Sequence, residues 1–258
     1  MGPAKLVTFV LLLQPSLVSA NPLRITGGQE CNEDSHPWLV LLYAEASFMC
    51  GATLLNQDWV LTAAHCYDSR PIHLYFGIHN TKQPRGHEQA RDAVSTFCYP
   101  DSPGTTNSSC PSFRLDRGDD IMLIKLNASV TYNEHIAPMA LPDRAAPLGT
   151  ECDIIGWGET ELTIGSVSHI PFCASINTMD NHFCQDVSSV TITDDMICAG
   201  VLEGGPDACK GDSGGPLLCG GQLQGLVSFG GYPCGQPMMP GVYTKIFSYR
   251  EWIYSHIR

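Results

Sequence analysis

The sequence predicts an all-β protein that ends in one amphipathic helix. Glycine (25) and proline (18) punctuate the whole chain, which favours short strands and turns over long helices. Short aliphatic and aromatic runs recur between these breakers, as strands require. Only the last stretch has a helical period: Tyr249, Trp252, Ile253 and Ile257 share a face, with Arg250, Glu251 and Ser255 between them.

Strands are expected at Trp38–Tyr43, Trp59–Thr62, Ile121–Leu126, Cys152–Trp157, Pro216–Cys219, Gln224–Phe229 and Gly241–Ile246, each flanked by Gly, Pro, Asn or Asp. The 258 residues, 43% hydrophobic, suffice for a sizeable core in one large or two small packed units. Pro138–Pro147 contains three prolines and reads as the crossing between two β-barrel halves, near residues 133–147. Cys98–Arg117 is polar and rich in Ser, Pro and Gly, and reads as an exposed, elaborated loop.

The first 20 residues have another character. Lys5 precedes an apolar run from Leu6 to Leu13, and the segment ends in Val18-Ser19-Ala20. This is the pattern of a secretory signal peptide cut after Ala20. A membrane anchor is the rival reading, but the run is short and Gln14-Pro15 interrupts it. No internal segment is apolar over the ~20 residues that span a bilayer. The expected location is therefore extracellular, by secretion.

Twelve cysteines in a secreted chain imply a disulfide framework, and the even count leaves room for six bridges with no free thiol. No CxxC pair occurs, so neither zinc nor iron–sulfur ligation is expected. The net charge is −12; residues 1–24 hold two cations, Lys5 and Arg24, and no acid, so the remainder carries −14. Such a surface suits neither nucleic acid nor anionic lipid. Two sequons, at Asn107 and Asn127, are candidate glycosylation sites.

Three motifs carry chemistry. In Gly211-Asp212-Ser213-Gly214-Gly215-Pro216 the glycines let the backbone turn sharply around a serine. They also let amides converge where an oxyanion develops. A serine hydroxyl needs a base, and Thr62-Ala63-Ala64-His65-Cys66 supplies a histidine directly after a strand. Asp119-Asp120-Ile121-Met122-Leu123-Ile124 sets an acid at the mouth of an apolar strand, where it can orient that histidine.

From Ile25 to the C-terminus these motifs, in the order His, Asp, Ser, resemble the chymotrypsin/trypsin family of serine proteases. The resemblance implies two six-stranded antiparallel β-barrels with a C-terminal helix over residues 25–258. It implies His65 as general base, Asp120 as its orienting partner, Ser213 as nucleophile, and the Gly211 and Ser213 amides as the oxyanion hole. It implies a propeptide, residues 21–24, cut after Arg24 by an activating trypsin-like protease, so that the freed Ile25 amine pairs with Asp212.

By the same resemblance, Asp207 lies at the floor of the primary pocket and pairs with substrate Arg or Lys. Gly230 and Gly241 line its walls, and the segment Ser228-Phe229-Gly230 pairs with substrate as a strand. Ala208 stands where many relatives carry Ser, so a lysine ammonium lacks a hydroxyl and Arg is preferred. Lys210, beside the cleft, favours acidic groups near the scissile bond. The implied disulfides are Cys31–Cys173, Cys50–Cys66, Cys152–Cys219, Cys184–Cys198 and Cys209–Cys234; Cys98 and Cys110 remain, and are assigned to each other. Where many trypsins bind calcium, the first ligand position is Ile78, so no metal and no cofactor is expected. Expected partners are protein substrates with exposed Arg or Lys and protein protease inhibitors, bound by a monomer.

Gly51–Gln57, His135–Pro138 and Leu202–Gly205 are similar to tissue-kallikrein-like enzymes and especially to reptile venom serine proteases. That subgroup implies plasma proteins such as kininogen or fibrinogen as substrates. The rival readings are a binding protein on a protease scaffold, which usually loses His or Ser of the triad, and a digestive trypsin, against which the large loop before Asp120 argues.

Overall fold

The computed structural model describes residues 27–100, 110, 118–160 and 165–258. The signal segment, Arg24, Ile25 and Asn107 lie outside these residues. A short strand β1 (Gln29–Glu30) leads into β2 (Leu39–Ala44), β3 (Ser47–Asn56), β4 (Trp59–Thr62), β5 (Ile72–Phe76), β6 (Gln89–Cys98) and β7 (Met122–Leu126). Strands β2 to β7 close a six-stranded antiparallel barrel in the order β2-β3-β4-β7-β6-β5.

The second half contains β8 (Glu151–Gly156), β9 (Phe172–Met179), β10 (Met196–Gly200), β11 (Pro216–Cys219), β12 (Gln222–Phe229) and β13 (Gly241–Lys245). Their order is β9-β10-β13-β12-β11-β8, and the pairing of β9 with β8 closes a second antiparallel barrel. β1 adds to the outside of β9. The helices are α1 (Asn181–Val187), capped by the Asp180 carboxylate on the His182 amide, and α2 (Arg250–Ile257) at the C-terminus. Helix α1 carries no clear apolar period and was not expected.

The barrel strands bury both faces. Along β2, Leu39 and Leu41 face a core between the barrels, whereas Val40 and Leu42 fill the interior of the first barrel. β4 divides in the same way, with Trp59 and Leu61 outward and Val60 inward. Ile155 and Trp157 from the second half join the inter-barrel core, as do Tyr249 and Ile253 of the C-terminal segment. One contiguous apolar body therefore holds the barrels against each other. Truncating one of its fully buried leucines, such as Leu61, costs about 2–5 kcal/mol.

All twelve cysteines are paired: Cys31–Cys173, Cys50–Cys66, Cys98–Cys110, Cys152–Cys219, Cys184–Cys198 and Cys209–Cys234. No helix among the described residues is long and apolar enough to cross a membrane.

Candidate active site

The site forms where the two barrels meet, and strand register explains its geometry. β4 and β7 are antiparallel neighbours with Thr62 opposite Met122. The chain leaving β4 at residue 63 therefore runs beside the chain entering β7 at residue 120. His65 sits there on a single 3-10 turn, Ala64–Cys66, pinned to β3 by Cys50–Cys66. Its Nδ1 is 2.7 Å from Asp120 Oδ2, and its backbone N–H donates to Asp120 Oδ1 at 3.0 Å.

Asp120 is 2% exposed. The second barrel holds it as well: Ser228 Oγ donates to Oδ2, and Thr244 Oγ1 donates to the Asp120 carbonyl at 2.8 Å. Buried carboxylates need such donors. Neither role was legible in the sequence, where Ser228 was expected only as part of the substrate-pairing strand and Thr244 was not singled out.

Ser213 precedes β11, and its carbonyl accepts from the Gly51 amide of β3 at 2.9 Å, which ties the two barrels together at this residue. Such close approach requires glycine. Gly214 has φ +72, and a Cβ on it would come within 2.1 Å of Thr62 Oγ1. Gly211 also has positive φ (+96), and a Cβ there would meet Val167 at 2.9 Å. Among the described residues, neither the Gly211 N–H nor the Ser213 N–H has a hydrogen-bond acceptor. Two unspent backbone donors, at a serine and two residues before it, are what a developing oxyanion needs.

Asp212 points the other way, into the protein, and is 2% exposed. Its Oδ1 accepts from Gly158 N–H at 2.8 Å and its Oδ2 from Cys209 N–H at 2.9 Å. The carboxylate fills the space that side chains at Gly156 and Gly158 would occupy, since a Cβ on either would fall within 2.1 and 2.3 Å of its oxygens. Burial pushes its carboxyl up to about 7, against the pull of those two amides. Among the described residues it has no cationic partner. Gly27 packs directly on the Gly205–Pro206 backbone, so the start of the described chain lies against the segment that leads to Asp207 and Asp212.

Beside Ser213 opens a cavity of about 230 Å³, lined among others by Asp207, Ala208, Ser228, Phe229 and Tyr243. Asp207 is 5% exposed, and Gly235 N–H donates to its Oδ2 at 2.8 Å. Burial pushes its carboxyl up to about 6, against the Gly235 and Ala208 amides. Gly230 and Gly241 face each other in the wall, a Cβ on Gly230 coming 3.6 Å from the Gly241 Cα. The Tyr243 hydroxyl is buried without a hydrogen-bond partner among the described residues and adds a polar group that sequence reading missed. At the rim, the exposed Lys210 holds its ammonium 3.9 Å from the centre of the Tyr232 ring.

Cys50, His65 and Cys66 place ligand atoms within 4.8 Å of one another, but both sulfurs are spent in a disulfide. In the loop after Phe76-Gly77, Asn80 Oδ1 and the Glu88 carboxylate accept backbone amides of the loop itself. Asn127 is exposed and its side chain exchanges hydrogen bonds with Asp92.

A buried acid, a histidine and a serine flanked by free amides, set between two six-stranded barrels, define a serine protease of the trypsin type. The sequence pattern of the family described as Trypsin matches residues 25–253, and the chain belongs to that family. It is 45% identical over 251 residues to snake venom serine protease 2 of Protobothrops jerdonii and to the venom plasminogen activator TSV-PA of Trimeresurus stejnegeri; both alignments cover 96% of this chain and 93% of the relative. The alpha- and beta-fibrinogenase stejnefibrase-1 of Trimeresurus stejnegeri is 44% identical, with 95% of this chain and 91% of the relative aligned. The chain is accordingly a serine endopeptidase of venom-protease type.

Proposed function

We propose that this protease is secreted as a precursor, is activated by cleavage between Arg24 and Ile25, and cuts proteins after Arg in preference to Lys. His65 Nε2 takes the Ser213 proton as the hydroxyl attacks the scissile carbonyl, and later gives it to the leaving amine. Asp120, fixed by His65 Nδ1, Ser228 and Thr244, orients the imidazole and stabilises its charged form. The Gly211 and Ser213 amides receive the oxyanion; one such donor is worth roughly 10²–10³ in turnover. Water then releases the acyl group by the reverse sequence.

The observation that carries the specificity is Asp207, a buried carboxylate at the end of a cavity walled by two glycines. A long cationic side chain supplies the partner that burial has denied it. Arg makes a bidentate contact without help, whereas the methyl of Ala208 offers a lysine ammonium nothing. The relatives named for plasminogen activation and fibrinogen cleavage support plasma proteins as the substrate class.

The test is recombinant precursor treated with trypsin and offered peptides with Arg, Lys or Phe before the scissile bond. Cleavage fastest after Arg and lost in Ser213→Ala supports the reading. No Arg cleavage overturns it, and faster Lys cleavage overturns the Ala208 argument alone.

A further inference from the structure

Away from the catalytic residues, a cavity of about 20 Å³ lies between the Glu33–Pro37 segment, the 77–88 loop and His135. It has room for one water-sized occupant. Four histidines line it, in two pairs: the His36 and His79 ring centres are 5.5 Å apart, and His87 stacks on His135 at 3.7 Å. Among the described residues His79 Nδ1 is buried with no hydrogen-bond partner, and its Nε2 faces Glu30 at 3.7 Å. Asp34 and Glu134 face His135 at 2.8 and 3.4 Å. Arg85 pairs with Glu33, and Glu88 accepts the Arg85 and Gly86 amides. These ligand atoms are not a ready metal site: the only group of three within 4.8 Å of one another, among the described residues, is Cys50, His65 and Cys66. The ligand that this chemistry suits is the proton.

The pocket is wired to the active site. The His79 carbonyl accepts from Trp157 Nε1 at 3.3 Å. Thr81 N–H donates to the His169 carbonyl at 2.9 Å, its Oγ1 lies 3.2 Å from the His169 ring Nδ1, and Ser168 N–H donates to the Trp157 carbonyl at 2.8 Å. Trp157 lies between Gly156 and Gly158, the two glycines against which the Asp212 carboxylate packs, and Asp212 adjoins Ser213.

We propose that the histidine pocket is a proton-operated latch: charging both rings of the stacked His87–His135 pair releases the 77–88 loop from Trp157 and His169, loosens the glycine cradle of Asp212, and lowers turnover reversibly below neutral pH. Two imidazolium rings in contact repel. Burial first, and His79 second, hold the His36 ring down at about 4 against the upward pull of Asp34, so the closed pocket keeps that ring neutral at physiological pH. The loop's hydrogen bonds to Trp157 and His169 form the two-state element that this charge biases.

The experiment is hydrogen exchange on mature Ser213→Ala protein, which cannot digest itself, at about pH 8 and about pH 5, with rates corrected for intrinsic exchange. The Thr81 and Ser168 amides should lose about tenfold of their protection at the lower pH, while Leu54 N–H, bonded to the Trp38 carbonyl in the first barrel, keeps its own. Replacing the half-buried pair, His87→Gln with His135→Gln, should remove that pH response; should the double variant fail to fold, His87→Gln alone is used. In otherwise wild-type enzyme the same variant should retain a larger share of its neutral-pH turnover at low pH than the unsubstituted enzyme does. Unchanged protection of Thr81 and Ser168, an equal loss at Leu54, or a full response in the variant overturns the proposal.

Discussion

Cleavage after Arg24 should stabilise the fold as well as switch on activity, and the amount follows from Asp212. In the structure this carboxylate is buried with two amide donors and no cation among the described residues. Burial carries it from 3.8 to about 7. Three units at 1.36 kcal/mol each is about 4 kcal/mol of destabilisation when the group is ionised. The sign follows from proton counting. Between 3.8 and 7 the native precursor holds a proton that the unfolded chain has lost, so precursor stability falls as pH rises through this window and is flat above it. A freed Ile25 amine that pairs with Asp212 removes the penalty. The mature form should therefore be more stable above pH 7 by up to about 4 kcal/mol, or roughly 8–15 °C in Tm for a domain of this size. The gap should close as pH falls toward 4. The assay is thermal unfolding of Ser213→Ala protein before and after cleavage by trypsin, across that pH range. Equal stabilities at pH 8 would refute the reasoning. So would full stability in cleaved protein whose new amine has been carbamylated.

Other consequences are simpler to measure. Ser213→Ala should reduce kcat by roughly 10⁶ with unfolding unchanged; residual turnover within tenfold of wild type would remove Ser213 as nucleophile. Ala208→Ser should raise cleavage after Lys relative to Arg by about five- to tenfold, the value of one added hydrogen bond to an ammonium, read from paired peptide substrates. Because burial lifts the Asp207 carboxyl to about 6, a cationic arylamidine should lose about tenfold in affinity per pH unit below that value, measured by calorimetry. The dependence should vanish in Asp207→Asn, which binds the ligand weakly at every pH. Gly241→Val should close the pocket, since even its Cβ would sit 3.2 Å from the Tyr243 ring and 3.4 Å from Asp207. A loss of about 10² or more in kcat/KM for Arg peptides is expected, with the far-ultraviolet spectrum intact.

What the sequence disclosed, and what it withheld, depends on how far apart the cooperating residues stand. Strands buried on both faces, such as Leu39–Ala44 and Trp59–Thr62, appear as continuous apolar runs and were expected nearly in place. Among the strands that escaped notice, Ser47–Asn56 and Ile72–Phe76 carry an apolar run and a clean alternation that went unread, whereas three others have weaker patterns. In Phe172–Met179 the buried face includes Ala174 and Thr178, Met196–Gly200 ends in small residues, and Gln89–Cys98 buries fully only Cys98. Packing and ladder hydrogen bonds make these segments strands, and neither is written in local periodicity.

The same distinction governs the site. His65, Asp120 and Ser213 stand out because each lies in a short motif whose neighbours are constrained locally: a disulfide beside the histidine, an apolar strand after the acid, glycines around the serine. Ser228 and Thr244 do not stand out, because they reach Asp120 across 108 and 124 residues of chain. Both stand on the second barrel, whereas the acid belongs to the first. Their hydrogen bonds exist only when the barrels dock, so the orientation of His65 depends on inter-barrel packing. A substitution in the shared core that leaves His65, Asp120 and Ser213 themselves in place should then disturb catalysis through Asp120 before it disturbs the pocket. Leu61→Ala, which thins the core beneath the His65 turn without touching the cavity at Asp207, separates the two: kcat should fall while arylamidine affinity holds. A parallel loss of both would mean that the barrels move as one body and that Asp120 has no special dependence on their contact.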